Sequence, residues 1–397
     1  MWTGRRVVLG VSGGIACYKS CILARRLTEA GARVDVVMTR AALEFVRPLT
    51  FEALTGRPVL TSLWEQGRAL SHVRLGQDSD LVIVAPATAQ LVARYAQGLA
   101  DDFLTTMLLA TTAPVLLAPA MNDEMFGSEA TRANLELLRC RATIVGPATG
   151  ALAEGPSDRP GRMSEPEVIL AHAERLLRRR GSHLDGKRII VTAGPTRESI
   201  DPVRVVTNRS SGLMGFALAR AAWARGADVL LISGPSALPA PDGVEVLRIE
   251  STADLASAVE AALPGADVMV MAAAPADYRP ASAEPVKRPR GQGDVSIDLV
   301  PTADVLRSTA GSRKPGAIIV GFALETGNAI PRAQEKLKRK QLDLVVVNDA
   351  LEPGAGFEVP TNRVTVLGRD GSVTEVPLAS KHEVADAILD AVEARLG

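Results

Sequence analysis

Short apolar runs alternate with segments of helical spacing along most of this chain. In the first half, runs at residues 6–11, 33–38, 80–85 and 113–118 predict strands, and the spacing at 15–30, 100–111, 128–139 and 165–180 predicts helices. Because strands separated by helices form parallel sheets with helices packed on their faces, the pattern indicates an α/β fold.

The same alternation starts afresh after Gly181. Further strands are predicted at residues 187–192, 228–233, 245–249, 267–272, 317–322, 342–347 and 363–367. We therefore predict two doubly wound, Rossmann-like α/β domains with mostly parallel sheets, at residues 1–183 and 184–397. In such folds, ligands bind at the carboxyl ends of the strands.

Composition narrows the class of protein. The 397 residues are 47% hydrophobic and 23% charged with a net charge of zero, which is typical of a globular protein and favours no nucleic-acid or membrane partner. No apolar run approaches the ~18 residues of a membrane helix. The three cysteines lack metal-site spacing, so we expect a cytoplasmic protein without disulfides.

The segment 191–215 carries the densest polar chemistry. A strand stops at a Gly-Pro break, and a loop with Asp201, Arg204, Asn208 and Arg209 leads to Ser210-Ser211-Gly212 before a helical pattern. A helix N-terminus presents unpaired N–H groups and a partial positive charge. A plain capped turn would explain Ser-Ser-Gly alone, but the extra charged residues favour an anion-binding site.

A second loop of small residues, Gly10-Val11-Ser12-Gly13-Gly14, follows the first strand. It is not the G-x-G-x-x-G fingerprint of dinucleotide-binding proteins. The second strand ends in Thr39-Arg40 rather than in the acid that binds a dinucleotide ribose. This favours a terminal phosphate, as in FMN, and counts against the alternative of an NAD-dependent oxidoreductase.

Two tracts connect these loops to a known family: P-A-M-N-x-x-M at 119–125, and TAGPTRE…DPVR…N-x-SSG-x-MG at 192–215. With them the chain resembles, over nearly its whole length, the bifunctional coenzyme A biosynthesis family. In that family a phosphopantothenoylcysteine decarboxylase is joined to a phosphopantothenate–cysteine ligase.

For the first half, the resemblance implies an FMN-dependent decarboxylase. His72 would be the catalytic histidine, and Asn122 would bind the substrate carboxylate. Oxidation of the substrate thiol to a thioaldehyde would supply the electron sink that loss of CO2 requires. The residues that would hold FMN are Ser12, Gly13, Gly14, Thr39 and Thr88.

The flap segment, residues 152–163, departs from the family pattern. The family's L-A-C-G…G-R-M carries a cysteine that donates a proton, whereas this chain has Glu154 there and keeps Gly161-Arg162-Met163. We expect Glu154, or else Asp158, to replace the thiol as an acid desolvated under a closed flap. The alternative is a ligase whose flavin-binding half has no catalytic activity.

For the second half, the resemblance implies that CTP activates 4′-phosphopantothenate as an acyl-cytidylate, which the amine of cysteine attacks. Asn208 would bind this intermediate, and Asp277 would hold Mg²⁺ beside the nucleotide. Lys336 and Lys340 lie four residues apart, so they share one helix face. The full set of nucleotide contacts is Ala272, Ala273, Ala274, Asp277, Asp304, Phe322, Lys336 and Lys340.

A second departure concerns a catalytic lysine of the family, in E-K-I-K-K. This chain has Pro285 at that position, and we expect Lys287 or Arg288 to take over, with Lys287 as the preferred catalytic residue. The resemblance also implies a homo-oligomer.

Overall fold

The computed structural model describes residues 1–64, 70–289, 296–325, 329–349, 351–352, 354–356 and 359–397. It divides into two compact units, Met1–Leu177 and Arg178–Gly397. Within the described residues, no helix combines the length and apolar character needed to cross a bilayer.

The first unit contains a five-stranded parallel sheet with the order β2-β1-β3-β4-β5. The order reverses between β1 and β3, and such a switch point opens a crevice at the carboxyl ends of both strands. The strands are β1 Arg6–Val11, β2 Arg33–Met38, β3 Leu81–Ala87, β4 Val115–Pro119 and β5 Thr143–Ile144. The helices are α1 Cys17–Glu29, α2 Pro48–Thr55, α3 Ser71–Asp78, α4 Ala89–Gln97, α5 Phe103–Ala110, α6 Asp123–Gly127, α7 Glu129–Leu138 and α8 Pro166–Arg178.

Helices cover both faces of this sheet. Val7 and Leu9 of β1 pack in one core cluster with α1, α2 and α8, whereas Val8 packs in another with α4, α5 and α7. Burial on both faces explains why the strands are continuous apolar runs rather than alternating ones.

The second unit contains an eight-stranded sheet with the order β10-β9-β6-β11-β14-β15-β16-β17. The strands are parallel up to β15, and the last two are antiparallel. Its strands are β6 Arg188–Ala193, β9 Asp228–Ser233, β10 Glu245–Arg248, β11 Val268–Met271, β14 Ile318–Glu325, β15 Leu344–Asp349, β16 Thr361–Gly368 and β17 Val373–Ser380. The switch point lies between β6 and β11.

Two small antiparallel pairs stand beside this sheet: β7 Arg197–Ser199 with β8 Val205–Thr207, and β12 Tyr278–Pro280 with β13 Leu299–Pro301. The helices are α9 Leu213–Ala224, α10 Thr252–Ala262, α11 Val305–Ser308, α12 Ala329–Arg339 and α13 Lys381–Glu393.

A buried guanidinium joins α13 to the end of α9. Arg225 is 7% exposed and pairs with Asp386 at 3.1 Å, Asp390 at 2.7 Å and Glu393 at 2.8 Å. A buried cation is tolerated only with such partners, so α13 is an integral part of the second unit.

The predicted fold class is confirmed, since both units are doubly wound and mostly parallel. Two of the charged residues of the loop 191–215, Asp201 and Arg204, bond to each other and to the loop backbone. Asp201 is buried and accepts hydrogen bonds from the N–H groups of Val203 and Arg204, at 2.8 Å each, and it pairs with the Arg204 guanidinium at 3.1 Å. These two charges therefore stabilise a turn instead of recruiting an anion.

Candidate active sites

The crevice at the first unit's switch point contains two adjoining clefts, of about 570 and 560 Å³, that share Gly13 and Thr88. The ends of β1 and β3 are joined there: Ser12 Oγ donates to the Pro86 carbonyl at 2.7 Å and accepts from the Thr88 N–H at 3.0 Å. The expected FMN ligands Ser12, Gly13, Gly14, Thr39 and Thr88 all line one cleft or both.

Gly13 brings the backbone close to the next loop. A Cβ at this position would lie 2.5 Å from the carbonyl carbon and Cβ of Ala41. Thr39 begins the short helical turn Arg40–Glu44, and its hydroxyl accepts from the Ala42 N–H at 3.3 Å. Gly13, Thr39 and Ala41 thus form a narrow space between two loops, and a side chain at position 13 would fill it. Backbone amides and hydroxyls face this space, which therefore fits a phosphate-bearing flavin.

The base of the flap segment closes the second cleft. Lys19 of α1 is 3% exposed, and its ammonium donates to the Met163 carbonyl at 2.8 Å and to Glu165 at 3.0 Å. The Met121 N–H donates to the Gly161 carbonyl at 3.0 Å. Asn122 lines the same cleft and caps α6, accepting from the Glu124 N–H at 2.9 Å.

Glu154 lines this cleft, but its side chain is exposed, as is that of Asp158. Neither acid is desolvated in this structure. Whether one of them donates a proton stays a prediction.

His72 lies on α3, edge-on to Phe103 with ring centroids 6.2 Å apart. Its Nδ1 atom is buried and has no hydrogen-bond partner among the described residues. Within that part of the chain, His72 does not line either cleft, so the structure does not bring it together with the expected flavin ligands.

The second unit has a cavity of about 780 Å³ at the carboxyl ends of β11, β14 and β15. Ser210, Ser211 and Gly212 line it where α9 begins, and Gly212 has a left-handed φ of 84°. The structure brings Asn208 and all the predicted nucleotide contacts together at this cavity: Ala272, Ala273, Ala274, Asp277, Asp304, Phe322, Lys336 and Lys340.

Asn208 fixes one wall of this cavity. Its amide Nδ2 donates to the carbonyls of Ala274 at 3.2 Å and Pro275 at 3.0 Å. The loop after β8 is thereby attached to the loop after β11, and both face the same space.

Lys336 and Lys340 supply positive charge from the opposite wall. The Lys336 ammonium donates to the Phe322 carbonyl at 2.6 Å, and Lys340 pairs with Asp304 at 2.9 Å. Burial, with a smaller contribution from Lys340, lowers the pKa of Lys336. An anion bound between them would therefore stabilise the protonated form of Lys336.

Asp277 is an exposed carboxylate at this cavity. The part of the chain that the structure describes holds no group of three or more His, Cys, Asp or Glu side chains able to bind a metal ion. Mg²⁺ commonly binds through one or two carboxylates together with substrate phosphates. Asp277 therefore fits a metal that arrives with a nucleotide.

The structure does not bring Lys287 into the cavity. Lys287 is exposed and is absent from the described lining residues, and the backbone N–H of Arg288 donates to Asp201 at 3.2 Å. The lining residues that were not predicted include Asn348, Asn362 and Lys381. The pattern Ser380-x-x-Glu383, which forms a capping box, could have predicted the start of α13 and hence the placement of Lys381. Burial lowers the pKa of Lys381 to about 8.

Known proteins match both units. The flavoprotein family matches residues 1–178, and the C-terminal domain of DNA/pantothenate metabolism flavoproteins matches residues 184–396. The coenzyme A biosynthesis bifunctional protein CoaBC of Vibrio cholerae is 44% identical over 398 residues, covering 99% of each chain. The protein of that name from Mycobacterium tuberculosis is 48% identical over 403 residues, covering 98% of this chain and 96% of the relative. This chain belongs to the CoaBC family.

Solved structures of single domains are also similar. The C-terminal domain of a CoaBC protein is 41% identical and covers 54% of this chain and 98% of its own, with a TM-score of 0.47. The FMN-dependent cysteine decarboxylase SpaF is 29% identical and covers 44% of this chain and 97% of its own, with a TM-score of 0.39.

Membership of the CoaBC family extends over both halves of the chain, so a ligase alone is not favoured. The first half is a flavoprotein domain.

Proposed function

We propose that this chain catalyses two consecutive steps of coenzyme A biosynthesis. The ligase domain, 184–397, joins cysteine to 4′-phosphopantothenate with CTP, and the decarboxylase domain, 1–183, converts 4′-phosphopantothenoylcysteine to 4′-phosphopantetheine with FMN. The main support is the cavity that unites Asn208, Asp277, Lys336 and Lys340 in a chain of this family. A cytoplasmic homo-oligomer belongs to the same proposal by family membership.

In the ligation, a carboxylate oxygen of 4′-phosphopantothenate attacks the α-phosphorus of CTP, and pyrophosphate leaves. The cysteine amine then attacks the acyl carbon, loses a proton, and CMP leaves. Lys336 and Lys340 offset the negative charge on the phosphates, and Asp277 holds Mg²⁺. Asn208 keeps the wall against the acyl-cytidylate in place through its bonds to Ala274 and Pro275.

In the decarboxylation, bound FMN supplies two-electron oxidation of the substrate thiol and the later return of the hydride. Ser12, Gly13, Gly14, Thr39 and Thr88 hold it at the switch point. Asn122 orients the substrate carboxylate, and His72 acts as the catalytic histidine. The flap segment excludes water, and Glu154 or Asp158 donates the final proton.

The test supplies purified protein with 4′-phosphopantothenate, cysteine, CTP and Mg²⁺, and measures pyrophosphate and CO2 separately. Lys336→Met should lower pyrophosphate release at least tenfold, a loss of about 1.4 kcal/mol or more, while CO2 release from added 4′-phosphopantothenoylcysteine stays at the wild-type rate. Lys338→Met is the matched control, since Lys338 is exposed on the same helix and is absent from the described cavity lining.

Absence of pyrophosphate from the wild-type reaction would refute the ligase assignment. Yellow protein that forms 4′-phosphopantothenoylcysteine but releases no CO2 would instead support the ligase with a silent flavin-binding half.

A further inference from the structure

The loop 272–277 carries the expected nucleotide contacts. Its backbone is hydrogen-bonded to the end of β6 and to the loop that follows β6. The Ala273 N–H donates to Thr192 Oγ1 at 3.0 Å, and the Ala276 N–H donates to Thr196 Oγ1 at 2.9 Å. Between them, the Ala274 N–H donates to the Gly194 carbonyl at 2.9 Å. The T-A-G-P-T part of the sequence tract is therefore a set of acceptors for this loop.

Behind Thr196 lies a buried polar chain. Thr196 Oγ1 is 2.9 Å from Thr252 Oγ1, and Thr252 donates to Glu198 Oε1 from its hydroxyl at 2.7 Å and from its N–H at 2.8 Å. The three residues are 0%, 2% and 6% exposed, in the order Thr196, Thr252 and Glu198. Buried polar groups at this depth are stable only when their hydrogen bonds are made.

The carboxylate determines the direction of every bond in this chain. The Glu198 carboxylate only accepts hydrogen bonds, so the Thr252 hydroxyl donates its single proton to it. Thr252 can then only accept from Thr196, whose hydroxyl proton is used in turn. Thr196 Oγ1 is therefore fixed as an acceptor towards the cavity, where it meets the Ala276 N–H.

Glu198 is suited to this position by the start of α10. Thr252 is the first residue of that helix, so its N–H has no partner within the helix. A carboxylate at a helix N-terminus satisfies such an N–H and is stabilised by the helix dipole.

We propose that Thr196, Thr252 and Glu198 form a positioning relay that holds the Ala276 amide, and with it the adjacent Asp277 carboxylate, in place for the nucleotide. The inference rests on the proposed ligase function, because it assigns the loop 272–277 to CTP. It gives the P-T-R-E part of the tract a role in nucleotide binding although none of the relay residues lines the described part of the cavity.

The test removes one hydroxyl and keeps the side-chain shape. Thr196→Val leaves the Ala276 N–H without an acceptor, and we expect CTP affinity to fall about tenfold, from the usual cost of an unpaired buried donor. Thr196→Ser restores the oxygen and should recover most of the affinity. Thr196→Ser is therefore the matched control for Thr196→Val.

Two measurements separate positioning from general loss of stability. Calorimetry gives the CTP affinity of each variant, and hydrogen exchange, followed in peptides spanning 272–277, gives the protection of the Ala276 amide. The relay predicts weaker CTP binding and faster exchange in Thr196→Val, and recovery of both in Thr196→Ser even if both variants melt at a lower temperature than wild type.

The relay is refuted if wild-type protein binds CTP and Thr196→Val binds it equally well. It is also refuted if Thr196→Ser binds CTP as weakly as Thr196→Val does. Wild-type protein that does not bind CTP would count against the ligase assignment instead. Hydrogen exchange at the Ala276 amide would then be the measurement that tests the relay.

Discussion

Gly13 offers a sharp test of the flavin site, because its neighbour Gly14 provides a matched control. An alanine Cβ at position 13 would lie 2.5 Å from the carbonyl carbon and Cβ of Ala41 and 2.7 Å from its carbonyl oxygen. At position 14 the nearest atom would be Thr88 Cγ2 at 3.7 Å, an ordinary contact. Ordinary carbon–carbon contacts are about 3.5–4.0 Å, so Gly13→Ala forces the Ala41 backbone back by roughly 1 Å.

Overpacking of this kind costs about 1–3 kcal/mol. Gly14→Ala should be neutral or stabilising by up to about 1 kcal/mol, because alanine restricts the unfolded chain. We therefore expect the flavin-free variants to differ by about 1–4 kcal/mol, which corresponds to roughly 2–16 °C for a unit of this size.

The assay is thermal unfolding of both flavin-free variants, followed by titration of Gly13→Ala with FMN. Displacement of Ala41 also moves Thr39, so Gly13→Ala should bind FMN more weakly than wild type. Equal unfolding temperatures for the two variants would show that the loop yields freely and that Gly13 is no steric requirement.

Four further outcomes follow. Lys19→Met should destabilise the flap by about 1–3 kcal/mol, because it removes the ammonium that donates to the carbonyl of the buried Met163, and limited proteolysis of the flap should accelerate. Glu154→Gln or Asp158→Asn should slow CO2 release; wild-type rates in both would exclude an acid at either position. Lys287→Ala should slow CTP-dependent pyrophosphate release, and an unchanged rate would exclude Lys287 from catalysis. The pKa of Lys381 is about 8 in the fold, below the unfolded value of about 10.4. Stability should therefore rise with pH between these values, as measured by urea unfolding, and Lys381→Met should reduce the rise.

The sequence alone predicted the central strands well. Strands at 6–11, 33–38 and 228–233 lie where the structure has β1, β2 and β9, because buried parallel strands are continuous apolar runs with clear ends. The short pairs β7–β8 and β12–β13 were not predicted, since their residues are largely exposed and lack a hydrophobic pattern.

Within the candidate sites, the resemblance supplied residues that the structure then placed together, such as Asn208 and Lys336. Local patterns could not supply the relay, because Thr196 and Thr252 are 56 residues apart and meet only when β6 and α10 have docked. The exposure of Glu154 and Lys287 was likewise beyond the sequence, since it depends on how the loops pack.

The ion pairs between Arg225 and α13 have a consequence for folding during synthesis on the ribosome. All five strands of the first sheet belong to the first 177 residues, so a nascent chain can complete the flavoprotein unit while translation continues. Folding of the second unit is completed later, because the carboxylates that pair with Arg225 lie in residues 386–393. Until that helix is released, the guanidinium stays hydrated and α9 lacks its cover, so the ligase half is the one exposed to chaperones and proteases.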